Sequence, residues 1–155
     1  MRVRASRWIA MGFGSGLSRW APGTAGTLWA WAVWHLLGSA FGFTPAPAVT
    51  FALLAAAFAL GVVACGRTAR DLGVDDHGAI VWDEAVAFWI VLSLLPPGAA
   101  NEAAAFVLFR VFDIAKPPPI RQVDAGLKGG LGVMVDDLLA AAYTLLPFAL
   151  WSAVS

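Results

Sequence analysis

A long stretch without any formally charged side chain is the strongest constraint on how this chain folds. No Asp, Glu, Lys or Arg occurs between Arg19 and Arg67, and a helix that crosses a bilayer needs about 20 apolar residues. The stretch is therefore long enough for two such helices. Pro45 and Pro47, which follow Gly42, mark a turn near its middle. We predict a helical hairpin with spans at about 26–43 and 48–65.

Three further apolar stretches follow, separated by polar or proline-rich segments. They are predicted at about 79–95, 101–115 and from about 131 to the C-terminus, after a polar segment over 66–78. Pro147 is expected to kink the last of them. Charged residues make up 13% of the chain, whereas soluble domains have about 25%. We therefore predict an all-α polytopic membrane helical bundle of about five spans, in one domain over residues 1–155.

The basic residues give the expected orientation, because lysine and arginine concentrate in cytoplasmic loops. They precede the first predicted span and follow the second and the fourth, whereas the other turns have none. Five spans with a cytoplasmic N-terminus fit this alternation. Arg2, Arg4 and Arg7 begin a stretch interrupted by glycines, which we interpret as a retained cytoplasmic segment and not a cleaved signal. A net charge of zero without a basic stripe argues against a nucleic-acid partner.

Carboxylates from three predicted spans are expected at the same, cytoplasmic membrane face. They lie near the start of the third span, in the last turn of the fourth and in the first turns of the fifth. These residues are Asp83, Glu84, Asp113, Asp136 and Asp137. Of the ten acidic residues, only Glu102 falls on the outer side. Ionisable groups within spans are costly and usually mark function.

Such a group of carboxylates repels itself unless cations are bound nearby. Magnesium prefers oxygen ligands, and it takes few carboxylates together with waters and phosphate oxygens. Arg110 and Lys116 lie three residues on either side of Asp113, so a continuous helix would place all three on one face. Carboxylates, a metal and fixed cations suit phosphoryl chemistry. Two simpler interpretations remain open, namely acids that stabilise helix N-termini and a plain ion pair between Arg110 and Asp113.

Four blocks of sequence, in order along nearly the whole chain, resemble the phosphatidylglycerophosphatase A family. The first is Gly-Phe-Gly-Ser-Gly-Leu-Ser at 12–18 with Ala-Pro-Gly-Thr at 21–24, and the second is Asp-Asp-His-Gly-Ala-Ile-Val-Trp-Asp-Glu at 75–84. The third is Phe-Arg-Val-Phe-Asp-Ile-Ala-Lys-Pro at 109–117, which continues to Asp124, and the fourth is Gly-Gly-Leu-Gly-Val-Met-Val-Asp-Asp at 129–137. The chain departs from the family pattern in 85–89 and at Pro118, where apolar changes leave the acids in place.

The resemblance implies a magnesium-dependent phosphatase of phospholipid biosynthesis at the bacterial inner membrane, with its active site on the cytoplasmic side. Its substrate would be the membrane phospholipid phosphatidylglycerophosphate, and its product phosphatidylglycerol. The predicted catalytic residues are His77, Asp83, Glu84, Arg110, Asp113, Lys116, Asp136 and Asp137.

Within that set, separate roles are expected for the acids, the bases and the histidine. Magnesium ligands are predicted at Glu84, Asp113, Asp136 and Asp137. Asp83 is expected either to bind the metal or to contact a residue that binds it. Arg110 and Lys116 are expected to bind the phosphate, and Arg121 is a further candidate for substrate binding. His77 or a water on the metal would handle the proton. Direct attack by water and an aspartyl-phosphate intermediate both stay open.

The residues also allow functions of other classes. A small ion- or proton-coupled membrane transporter would line its pathway with intramembrane acids, but transporter sites usually lie near the midplane. A lipid phosphotransferase would need a nucleotide-lipid site, for which the sequence shows no motif. A soluble helical bundle is disfavoured because so apolar a composition cannot be hidden in a small domain.

Overall fold

The computed structural model of the protein describes residues 5–42, 45–74 and 77–154, and these residues form helices without any β-strand. The predicted all-α class is confirmed. The helices are α1 (Ala5–Ala10), a 3-10 helix (Gly12–Leu17), α2 (Pro22–Phe41), α3 (Pro47–Leu72), α4 (Trp82–Leu94), α5 (Ala99–Ala115), α6 (Ile120–Gly126) and α7 (Gly129–Val154). Arg2, Arg4, Asp75 and Asp76, which the sequence analysis singled out, lie outside the described residues.

The five apolar stretches correspond to α2, α3, α4, α5 and α7, and the largest differences in boundaries are at the start of α2 and the end of α3. α2 already begins at Pro22, because a proline in the first helical turn loses no hydrogen bond. α3 continues through Arg67 and Arg70 into the segment predicted to be polar, and it ends at Gly73, whose φ of 74° suits glycine. The segment between the fourth and fifth apolar stretches contains the short helix α6, which was not predicted from the sequence.

Two of the described helices, α3 and α7, are long and apolar enough to cross a membrane on their own. Each has 26 residues, which corresponds to about 39 Å at 1.5 Å per residue. Large apolar side chains on their outer faces are exposed, including Phe51, Val63 and Leu150. Such surfaces suit contact with lipid, and by their length and composition these two helices suggest association with a membrane.

α4 is the central helix of the bundle. It packs against α2, α3 and α7, and nearly every residue from Trp82 to Phe88 is fully or almost fully buried. The interior is aromatic on both sides of α4, with Phe88 against Phe106 and Phe109 and Trp82 against Trp89. Because α4 is enclosed, the two acids in its first turn are buried as well.

Close approach of α3 and α7 depends on glycines at their crossing. A Cβ atom at Gly130 would collide with the carbonyl oxygen of Val62 and lie 2.8 Å from the nitrogen of Gly66. One at Gly61 would lie 2.5 Å from the sulfur of Met134. The first turns of α7 are thereby held against α3, which sets where the acids at 136 and 137 enter the bundle.

Gly130→Ala is expected to destabilise the protein, by about 1–3 kcal/mol, because a methyl group there overpacks the crossing against backbone atoms. Thermal unfolding in detergent measures the change. Gly38→Ala in α2 is the matched control, since a Cβ at Gly38 meets nothing within 4 Å. Alanine stabilises a helix by up to about 1 kcal/mol relative to glycine, so this control should unfold at the same or a higher temperature. Equal effects of both changes would contradict the proposed packing.

Candidate active site

A polar cavity of about 310 Å³ lies where α2 and α4 begin, α5 ends and α7 passes through its second turn. Residues from all four helices line it, although they are distant in sequence. The charged residues that line it are Asp83, Glu84, Arg110, Asp113, Lys116, Asp136 and Asp137. The structure therefore brings together every predicted site residue except His77 and Arg121.

Arg110 links two of the three helices that carry the acids. Its Nη1 atom donates to Oδ2 of Asp113 at 2.6 Å and to Oε1 of Glu84 at 3.2 Å. The side chains of Arg110 and Asp113 are only 13% and 12% exposed. Each charge of such a buried pair depends on the other, because leaving either charge alone in a medium of low polarity costs several kcal/mol. The ion pair considered from the sequence is present, and it also includes Glu84.

The beginning of α2 reaches this ion pair because Gly23 has no side chain. A Cβ atom there would collide with Oε1 of Glu84 and lie 2.7 Å from Nη2 of Arg110. One turn later, Oγ1 of Thr27 accepts a hydrogen bond from Arg110 at 3.5 Å. No side chain caps α2. Gly23 and Thr24 in its first turn line the cavity, at the positive end of the helix dipole.

Lys116 is the second cation of the cavity and is held by two acids. It follows the last residue of α5 in the left-handed conformation, at φ 42°. Its Nζ atom donates to Oδ2 of Asp136 at 2.6 Å and lies 3.3 Å from Oδ1 of Asp124 on α6. Burial alone would lower the pKa of Lys116. The hydrogen bond and the charge of Asp136, together with Asp124, outweigh burial, so the pKa lies above its ordinary value. The ammonium is therefore charged at neutral pH.

Asp137 is the most deeply buried of the acids that line the cavity. It is 3% exposed, and it experiences the charges of all four other cavity carboxylates. Its Oδ2 atom is buried without a hydrogen-bond partner among the described residues. A buried oxygen that faces like charges is suited to binding a cation.

The described residues of the cavity do not provide a complete set of protein ligands for a metal ion. Among the described residues, no three His, Cys, Asp or Glu side chains are close enough to hold an ion by themselves. Calcium and structural zinc usually need such a set of protein ligands, whereas magnesium keeps several waters and uses one or two carboxylates plus substrate phosphate oxygens. A buried carboxylate oxygen such as Oδ2 of Asp137 is a donor of the type that magnesium takes.

His77 and Arg121 lie outside the cavity. Both are exposed and neither lines it, and Nδ1 of His77 accepts a hydrogen bond from the N–H of Ala79 at 3.1 Å. Sequence reasoning missed the roles of Thr27 and Asp124 as partners of the two cations. Asp124 was visible only as the end of a motif, and nothing in the sequence marks Thr27, whose role depends on how α2 pairs with α5.

Comparison with known proteins agrees with the resemblance found in the sequence. The profile of the family described as PgpA, Phosphatidylglycerophosphatase A, matches residues 8–151. A protein of that name from Escherichia coli (strain K12) is 44% identical over 133 residues, which cover 85% of this chain and 74% of the relative. One of the same name from Haemophilus influenzae is 45% identical over 139 residues, 89% and 83% of the two chains. No solved structure matches the chain.

Arg110→Met should destabilise the fold, because it removes the cation while keeping a long side chain and leaves Glu84 and Asp113 buried together. Breaking a buried pair by removing one partner costs about 3–5 kcal/mol. Unfolding by a denaturing detergent, followed by helical circular dichroism, measures the loss.

The matched control neutralises the acids as well. Arg110→Met combined with Glu84→Gln and Asp113→Asn should recover most of the lost stability, since no unpaired charge remains. If Arg110→Met alone unfolds like the wild type, Arg110 does not compensate these acids.

Proposed function

Because the chain belongs to the phosphatidylglycerophosphatase A family, we propose that its cavity removes the terminal phosphate of phosphatidylglycerophosphate with the help of magnesium. The phosphatase activity and its place in phospholipid biosynthesis follow from the family. The location of the reaction is supported by one observation: seven charged residues from α4, from α5 and its C-cap, and from α7 converge on one cavity, five of them acids and two of them cations.

The phosphate group of the substrate is bound by the basic side of the cavity. Arg110 offers a guanidinium group that can donate in parallel to two oxygens, and Lys116 offers a charged ammonium. The N–H groups of Gly23 and Thr24 add donors at a helix N-terminus, which favours phosphate.

The acidic side of the cavity would hold magnesium, with Asp137 and Asp136 on α7 as main ligands and Asp83, Glu84 and Asp113 nearby. When bound, the metal would neutralise charge on the phosphate and activate a water. Hydrolysis breaks the bond between phosphorus and the glycerol oxygen, joins the water oxygen to phosphorus and returns a proton to the leaving oxygen. Water in the cavity is the better carrier of that proton, because His77 lies outside.

The orientation in the membrane completes the proposal. Five helices crossing the bacterial inner membrane, with the N-terminus in the cytoplasm, would put the cavity at the cytoplasmic face. The position of the acids at one end of the helices favours a phosphatase over a transporter, whose site would lie near the midplane. Glu102 lies near the opposite end of α5, where Oε2 accepts a hydrogen bond from Trp31 at 2.6 Å.

Asp137→Asn should abolish most of the activity, because it weakens the cation site without changing side-chain size. Phosphate release from phosphatidylglycerophosphate by detergent-purified protein is expected to require magnesium and to fall by about 100-fold or more in the variant. Glu102→Gln is the control, since it neutralises another partly buried acid away from the cavity. Full activity in the presence of a chelator would contradict the metal, and an active Asp137→Asn would contradict the site.

The topology is tested by cysteine labelling in intact and in permeabilised cells. The turn before α5 and the helix α6 should lie on opposite sides, so Ala99→Cys should react with an impermeant maleimide in cells whose inner membrane is intact. Gln122→Cys should react only after permeabilisation. Both positions are exposed, whereas the natural Cys65 is buried. Labelling of both cysteines from the same side would contradict the proposed arrangement.

A further inference from the structure

α2 and α5 face each other along a seam that side chains close over most of its length. Both helices pack on α4 or α7, and along their described residues they make no extensive backbone contact with each other. The seam is built from positions four apart, which lie on one face of a helix. These positions are Gly23, Thr27, Trp31 and His35 on α2, and Glu102, Phe106, Arg110 and Ile114 on α5.

Three layers of this seam are closed. At the end distant from the cavity, Oε2 of Glu102 lies 2.6 Å from both Nε1 of Trp31 and Nε2 of His35. In the next layer the rings of Trp31 and Phe106 stack with centroids 5.7 Å apart. In the third, Arg110 donates to Thr27 at 3.5 Å.

The fourth layer is open. Gly23 on α2 has no side chain to offer, and Ile114 on α5 is 71% exposed although it lines the cavity. A side chain at position 23 would not close the gap without colliding with Glu84 and Arg110. Just before α2, Trp20 is 96% exposed and is followed by Ala21, which also lines the cavity. Two large, uncovered apolar side chains therefore adjoin the acidic cavity, Ile114 in its lining and Trp20 next to the lining residue Ala21.

We infer that this opening, between Gly23 and Ile114, is where a phospholipid reaches the cavity, with Ile114 and Trp20 contacting the hydrocarbon part of the same molecule. The inference rests on the proposed function and adds a structural reason why the enzyme would prefer a phospholipid to a water-soluble phosphate monoester. A phosphate monoester dissolved in water needs only the polar cavity. An amphiphile needs a polar cavity that adjoins an apolar surface within the length of its glycerol backbone, and tryptophan favours that depth of a membrane.

The seam also explains how one end of the molecule stays closed while the other end admits lipid. The hydrogen bonds and stacked rings of the three closed layers join α2 to α5 over most of the seam. A lipid head group can therefore enter beside Ile114 without the helices moving apart along their whole length. Ile114 is then a specificity-determining residue, because it covers apolar substrate surface and takes no part in the chemistry.

Ile114→Ser tests this assignment by a ratio of two activities. Phosphate release is measured from the long-chain substrate in mixed micelles and from an analogue with the same head group on butanoyl chains, which stays dissolved in water. The ratio of the two kcat/KM values should fall by roughly tenfold or more, because the burial of one large aliphatic side chain is lost. Ile114→Leu, which keeps a large aliphatic side chain, should have a ratio close to that of the wild type.

Val111→Ser is the matched control, because Val111 is 51% exposed on the same helix but is outside the seam and the cavity. Its ratio should equal that of the wild type. An unchanged ratio in an active Ile114→Ser protein, or an equal fall in both serine variants, would overturn the lipid opening and leave the phosphatase proposal intact. Failure of the wild type to hydrolyse either compound would overturn both.

A labelling experiment tests the same opening without relying on turnover. In the Asp137→Asn background, Ile114→Cys and Val111→Cys are alkylated by a maleimide with and without phosphatidylglycerophosphate in the micelles. The lipid should slow alkylation at position 114 severalfold and leave position 111 unaffected. Equal rates at position 114 with and without the lipid would contradict the proposed contact.

Discussion

The structure depends on the compensation of buried negative charge at one end of a largely apolar bundle. Five carboxylates converge on the cavity, and only Arg110 and Lys116 oppose them among its lining residues. Each cation is shared by two acids: Arg110 joins Glu84 to Asp113, and Lys116 joins Asp136 to Asp124. The remaining excess of negative charge centres on Asp137. Replacing such buried ion pairs by apolar residues often costs no stability, and under the proposed function these charges serve to bind a cation and its phosphate partner.

Small residues allow this arrangement by letting helices approach closely. Gly130 brings α7 against the backbone of α3, so that Asp136 and Asp137 point into the bundle. Gly23 lets the beginning of α2 touch the ion pair of Glu84 and Arg110. Gly23 also lies opposite Ile114 in the layer of the seam through which we infer that the lipid enters. One glycine therefore supports both the polar interior of the site and its apolar margin, which is the combination that a lipid carrying a phosphate requires.

Much of the site could be predicted from the sequence because the spacing of charges along apolar stretches is a local property. Asp83, Asp113 and Asp136 lie at corresponding ends of their helices whatever the exact boundaries are. The extension of α3 to Leu72 was missed because polar residues at a helix end look like a loop. The seam between α2 and α5 could not be predicted, since its layers depend on which helices are neighbours. The exclusion of His77 and Arg121 from the cavity depends likewise on how the connecting segments fold back.

The most direct test of the central claim is to locate a divalent cation and an oxyanion in the protein itself. Crystals grown with manganese, as a stand-in for magnesium, and with vanadate, as a stand-in for phosphate, would show the metal by its anomalous scattering. The account predicts one strong peak in direct contact with the carboxylate of Asp137, and a vanadate that bridges this metal and the guanidinium of Arg110. Manganese or vanadate bound with full occupancy elsewhere, with the cavity holding neither, would contradict it.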